Sequence, residues 1–422
     1  MGQRPAVIIP SARGKDSQRP SVSQISTRAL SRITTANVPN PTAPGLLLQK
    51  SRGATGNPAN RFEALATIPF DDDWGTLAAD ALAPAPLETT LTRDASRTAI
   101  SWNDSPDIGF DRSLNPYRGC AHGCVYCYAR PSHAYLGLSP GLDFETRLTF
   151  KPEIAALLER ELRKPGYTAA PLVLGANTDA YQPIERTLRL SRAVLEVLDR
   201  FNHPVILITK SAGVLRDADI LHSMARRDLV LVYLSVTTLD RDLARRLEPR
   251  AATPDRRLHA VAELTRLGIP CGVLASPMIP GLNDPELERI LAAAAAAGAR
   301  QARYTLLRLP HELKSIFEDW LRLHVPDRAD RVLNLVRQTR GGALNSSEFG
   351  QRFNGTGVYA DLLAQRFRRV VRQLGLDRRQ ELATDRFAPP GAKPGREQLS
   401  LFGSPDSAPP TEMLLDMGAK RT

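Results

Sequence analysis

CAHGCVYC, residues 120–127, gathers three of the chain's four cysteines into eight positions. The spacing is Cys-x3-Cys-x2-Cys at Cys120, Cys124 and Cys127, and the fourth cysteine, Cys271, stands far away in an apolar run. Gly119 and Gly123 let such a loop wrap closely, because glycine takes backbone angles that other residues avoid. Three chemistries compete for this pattern. A structural zinc site wants four tetrahedral ligands; His122 lies inside the same tight loop and Cys271 reads as core. A redox pair of Cys124 and Cys127 leaves Cys120 unexplained. A [4Fe-4S] cluster normally takes one cysteine per iron, so three cysteines leave one iron open to another ligand.

Working outward, the loop follows Leu114–Arg118, which reads as a first strand. Five short apolar runs come after it: Pro171–Ala176, Pro204–Lys210, Leu229–Thr237, Pro270–Pro277 and Arg303–Pro310. Their nearly unbroken apolar character suits strands buried on both faces of a parallel sheet. Helical periodicity fills the intervals. Pro183–Phe201 sets Leu188, Val194, Leu195 and Leu198 on one stripe, Pro254–Leu267 repeats the pattern, and a further helix starts at Asn283. Strand and helix in alternation mean βαβ units, in an open doubly wound sheet or a (β/α) barrel. In either fold the chemistry sits at the carboxyl ends of the strands. Those ends are polar here: Asn177-Thr178-Asp179, Thr209-Lys210-Ser211, Ser235 with Thr237, Ser276 and Arg308. Several polar ends converging on one face favour a barrel mouth, and no glycine-rich nucleotide loop is present.

A Cys-x3-Cys-x2-Cys loop after the first strand of such a barrel resembles the signature of the radical S-adenosylmethionine superfamily. The stretches SLNPYRGCAHGCVYCYARPSHAYLGLSPGLDFETR, NTDAYQPIER, TKSAGVLRD, SVTTLD, LEPRAATPDRRL and SPMIPGLND, in order over residues 113–284, are similar to the branch related to spore photoproduct lyase. RGATGNPANRF before them and RLPHELKSIFEDWL after them resemble one bacterial subgroup of that branch. The resemblance implies an α/β fold, a partial (β/α)6 barrel, with a core over 106–325. It implies a [4Fe-4S] cluster on Cys120, Cys124 and Cys127, whose open iron chelates S-adenosylmethionine. It also implies reductive cleavage of that cofactor to a 5′-deoxyadenosyl radical that abstracts hydrogen from a substrate. Tyr126 would lie by the adenine, Asn177, Thr178 and Asp179 by the methionine end, and Ser235 and Thr237 by the ribose or carboxylate. Glu248 and Arg250 are expected close by. The reductant would be a flavodoxin or ferredoxin. Two features depart from the pattern. The superfamily's Gly-Gly-Glu after the second strand is missing. No cysteine stands between Cys127 and Cys271, where spore photoproduct lyase has its hydrogen-atom donor, which leaves Tyr181, Tyr233 and Cys271 as candidates.

The flanks differ in texture. Residues 1–60 carry +7 of the chain's +11, and read as a basic disordered tail able to attract phosphates. Residues 61–105 are expected to extend onto the core, 326–388 to add helices, and 389–422 to form a second disordered tail. Gln398–Phe402 (QLSLF) in that tail resembles the peptide by which bacterial repair proteins dock on the sliding clamp. Nucleic acid is therefore among the expected partners. No apolar run is long enough to span a bilayer and no secretory signal opens the sequence, so a cytoplasmic setting is expected. Two other classes fit the same residues: a non-catalytic metal sensor, and a clamp-recruited DNA-binding factor.

Overall fold

Apolar runs of three to eight residues cannot hide both faces alone, and in the computed structural model of the chain they lie side by side. The structure describes residues 51–63 and 87–391. The strands in chain order are β1 Thr90–Arg93, β2 Ile100–Trp102, β3 Arg112–Leu114, β4 Tyr117–Arg118, β5 Arg147–Phe150, β6 Leu172–Leu174, β7 Val205–Thr209, β8 Val230–Ser235, β9 Cys271–Met278 and β10 Gln301–Leu306. The main sheet runs β10-β9-β8-β7-β6-β3-β2. Six neighbours from β3 to β10 are parallel, and β2 adds an antiparallel edge. The order is sequential and the sheet stays open, so the fold is a partial (β/α)6 barrel. Its crossover helices include Ile154–Leu162, Leu190–Arg200, Ala218–Ala225, Pro254–Arg266 and Leu287–Ala296. Every residue of β6 and β8 is buried, as their unbroken apolar character requires.

The expected first strand, Leu114–Arg118, is two strands instead. β3 ends at Leu114, whose carbonyl accepts from Gly175 N. Pro116 has no N–H to continue the ladder, and its carbonyl takes Lys151 N of the neighbouring segment. β4 then joins a separate small sheet, β1-β5-β4. The single helix expected over Pro183–Phe201 is also divided. Arg189 stands at φ 51°, and the helix restarts at Leu190. The break lets the Glu185 carboxylate accept from the Ser191 backbone N–H at 3.1 Å, capping the new helix.

Residues 51–60, read from sequence as the end of a tail, pack against the cysteine loop with Gly53, Ala54 and Asn60 buried. Their glycines and small residues fit against the cysteine loop, and composition alone hides that. At the other end Phe387 packs edge-on against His203, and Ala388 N bonds to Phe201 O. The QLSLF segment, residues 1–50 and the rest of the C-terminal tail lie outside the described residues.

Among the described residues, two large apolar clusters hold these parts, beside a small one at Cys120, Ala129 and Phe144. The larger fills the space between sheet and helices. The smaller lies under the cysteine loop, where Val125, Leu247, Leu307, Leu309, Phe317 and Trp320 meet. Each fully buried large side chain there contributes ~1.5–3 kcal/mol. Trp320 also donates its indole N–H to Arg246 O, which fixes helix Leu313–His324 against the segment that carries Glu248.

Candidate active site

The cysteine loop is tied down by backbone. Cys120 N bonds to Phe144 O at 2.9 Å, Val125 N to Leu247 O at 3.0 Å, and Arg250 N returns to His122 O at 3.2 Å. Gly119 and Gly123 adopt φ of 74° and 69°. A β-carbon on Gly119 would stand 2.8 Å from Phe144 O, so glycine is required for space as well as angle. Gln182 clamps the loop from the end of β6, accepting Ala121 N at 2.8 Å and donating to Gly119 O at 3.2 Å.

Under the loop lies a wholly buried ion pair. Arg130 uses all five of its N–H donors: on the carbonyls of Cys124, Pro140, Gly141 and Gly123, and on Glu145 Oε1 at 2.5 Å. Glu145 then reaches the N-terminal segment, accepting Gly53 N at 3.0 Å and Ala54 N at 2.9 Å. A β-carbon on Gly53 would lie 1.8 Å from Gly123 O. Residues 52–61 thus form a strap against the loop, its far end held by Arg61 on Glu312 at 3.0 Å.

The loop lies across the carboxyl ends of the main sheet. Tyr128 donates to Ala176 O, just past β6. The Tyr126 ring faces Lys210 Nζ, at the end of β7, at 5.8 Å. The Tyr126 hydroxyl bonds to Glu248 and to Thr237 Oγ1, past β8, at 3.1 Å. Thr237 in turn bonds to Glu248 at 2.7 Å and to Ser276 O of β9 at 3.1 Å. Glu248 is charge-balanced by the buried Arg257, which also donates to Ser235 O at 2.9 Å.

Of the residues expected near the cofactor, Tyr126 and Thr237 are brought together, with Ser235 buried two residues before Thr237. Asn177 is exposed, and its backbone N–H bonds to Asn115 Oδ1 at 2.9 Å. Thr178 is buried, with its hydroxyl turned to Tyr117 O at 3.0 Å. Asp179 is held inside the protein: it accepts from Thr209 Oγ1 at 2.6 Å and Lys210 N at 2.7 Å, and lies 3.3 Å from His122 Nδ1. Burial opposes a charged Asp179, yet His122 and these donors hold its carboxyl well below the usual range. Glu145 and Gln182 escape a reading of sequence because their partners are remote along the chain, and Arg130 because its role depends on that of Glu145. Only the glycines of RGATGNP hint at the strap.

The three thiols lie within electrostatic reach of one another. Burial pushes Cys124 and Cys127 up as thiols, and Lys210 acts against this on both. Three free thiols in one loop can each take one iron of a cubane, so the donor set fits an iron–sulfur cluster. Cys271 opens β9, buried in the large apolar cluster at the opposite end of the strand. Tyr181 is spent on Asp217 at 2.8 Å and Tyr233 on Gln301 at 2.9 Å, so neither presents its hydroxyl to the loop.

The family model of the radical SAM superfamily matches residues 114–294. An uncharacterized protein of Mycobacterium tuberculosis is 34% identical over 233 residues, covering 55% of this chain and 68% of its own length. One from Methanocaldococcus jannaschii is 27% identical over 173 residues, 41% of this chain and 62% of that one. Among solved structures, a spore photoproduct lyase variant with bound AdoMet and dinucleoside spore photoproduct superposes with a TM-score of 0.50 at 16% identity, covering 69% of this chain and 82% of its own. At that identity the likeness is one of fold. Among the described residues no helix is long and apolar enough to cross a membrane.

Proposed function

The chain belongs to the radical SAM superfamily, and from that premise we propose that it holds a [4Fe-4S] cluster on Cys120, Cys124 and Cys127, with S-adenosylmethionine beside it, and abstracts hydrogen from a nucleic-acid substrate. When bound there, the cluster would supply one electron to the sulfonium of S-adenosylmethionine, the chemistry that generates a hydrogen-abstracting radical. The electron comes from a flavodoxin- or ferredoxin-type reductant.

One observation carries this reading: three free cysteines in a single loop over the strand ends, with the fourth cysteine at the other end of β9. Lys210 offers a cation to the cofactor's carboxylate beside Cys124 and Cys127. Tyr126, fixed by Glu248 and Thr237, forms a wall that the adenine can lie along. The apolar cluster beneath the loop keeps water from the cysteines. The substrate class rests on the basic residues 1–60. A structural neighbour that holds a dinucleoside makes nucleic acid the class to try first.

The test is anaerobic reconstitution with iron and sulfide, chemical reduction, addition of S-adenosylmethionine, and quantitation of 5′-deoxyadenosine. Product is expected in the wild type, and a drop of at least about a hundredfold in Cys124→Ala, given the loss of one of the cluster's ligands. A cluster confirmed by spectroscopy that yields no product under reduction, with or without nucleic acid, overturns the proposal in favour of a metal sensor.

A further inference from the structure

Arg308 follows β10 at the strand-end face, beyond the reach of the family match, and its surroundings are unusual for an arginine. It makes no hydrogen bond and no ion pair among the described residues, and its Nε is buried without a partner. Its guanidinium lies 5.7 Å from the centre of the Tyr128 ring and 4.7 Å from that of Phe353. Tyr128 is the residue after Cys127, so Arg308 stands next to the cysteine loop. A second arginine, Arg352, lies 5.1 Å from Phe353 and 4.9 Å from Phe349. A third, Arg340, is buried, tied to Leu307 O at 2.7 Å and Gln351 O at 2.9 Å, and its Nε is also unpartnered. Among the described residues the carboxylate engaged with these cations is Asp107, held by Arg352 at 2.8 Å and by Gly350 N at 2.6 Å. Burial and the neighbouring arginines lower the proton affinity of Arg308 and, to about 10, of Arg340. Two cations are thus partly desolvated, with, among the described residues, only the Asp107 carboxylate, already engaged by Arg352, acting on Arg308, an arrangement that an incoming anion relieves.

The rings beside this charge are open. Tyr128 is 46% exposed and Phe349 61%. Unpaired guanidinium next to exposed aromatic faces is the combination that holds a phosphate and the planar ring beside it. A stacked arginine that served packing alone would still be expected to hydrogen-bond when half-buried.

We propose that Arg308, between Tyr128 and Phe353, is the anion anchor of the substrate site and takes the phosphate of a nucleotide unit, whose ring meets Tyr128 and Phe349. The proposal names a site for the substrate class proposed above and does not depend on the chemistry at the cysteines. The nucleotide can be free or part of a single strand, and the test separates the two.

The full-length, cluster-loaded protein is titrated calorimetrically under anaerobic conditions with deoxycytidine, deoxycytidine 5′-monophosphate, inorganic phosphate and a ten-nucleotide pyrimidine strand. Pyrimidines avoid the adenine site. The monophosphate is expected to bind at least tenfold tighter than the nucleoside. Arg308→Met is expected to lose that difference, a fall of about 10- to 100-fold for a charge-assisted bond, and Arg308→Lys to keep part of it. Without ligand, Arg308→Met is expected to melt at or above the wild-type temperature, because a half-buried charge with no hydrogen bond among the described residues is removed. Equal binding of monophosphate and nucleoside in the wild type, undiminished binding in Arg308→Met, or a lower melting temperature in that variant overturns the proposal. If the monophosphate binds but the strand binds no better, the anchor stands and the nucleic-acid reading falls.

Discussion

Removing the Glu145 carboxylate would leave the Arg130 guanidinium fully buried among carbonyls with its charge uncompensated. Glu145→Gln is expected to lose about 3–5 kcal/mol, the usual cost of breaking one side of a buried pair, measured as the shift in urea or thermal unfolding. The apolar double replacement Arg130→Met with Glu145→Leu is expected to recover little of this. Four carbonyls and two amides lose their partners along with the charges. At this scale the cysteines are legible because their chemistry is a matter of local spacing. Arg130 and Glu145 are not, since the amides that give Glu145 its place stand 91 and 92 residues away. Tyr126 lies between these cases: its place next to Cys127 marks it, but the Glu248 that fixes it is 122 residues on.

The strap and the divided helix are statements about elements. Gly53→Ala puts a β-carbon into Gly123 O, which is backbone and cannot turn aside. A loss of about 1–3 kcal/mol is expected, as for overpacking elsewhere, with faster tryptic cleavage at Arg52 and Arg61 as the strap lifts. Arg189 offers the opposite sign. It holds a left-handed conformation that costs a side-chain-bearing residue ~1–2 kcal/mol, so Arg189→Gly is expected to gain about 1 kcal/mol in thermal unfolding. The strands were readable because apolar runs of this length have few other fates in a βαβ chain. The helix break was not. Leu188 and Leu195 keep helical spacing across it, and the reason for the break, Glu185 capping Ser191 while it holds Tyr117 and Arg216, lies in tertiary contacts. Pro116 did carry a readable signal, as a residue without a donor inside an expected strand.

For the molecule as a whole, acid should act through His203. Burial, with Arg112 nearby, lowers this imidazole to about 4, although its bond to Pro204 O works the other way. The unfolded chain binds a proton near pH 6.5 and the folded one does not, so stability is full above about pH 6.5 and falls as pH drops toward 4. The loss over that window is on the order of 3 kcal/mol. His203→Gln should flatten the decline in melting temperature between pH 7 and pH 4.5 relative to wild type. The strap has a consequence in the order of synthesis. Gly53 leaves the ribosome before the Glu145 that will hold it, and at ~5–20 residues per second the 92-residue interval lasts roughly 5–20 s. The cysteines emerge inside that interval, uncovered. The cysteine loop is therefore complete before the strap can close against it.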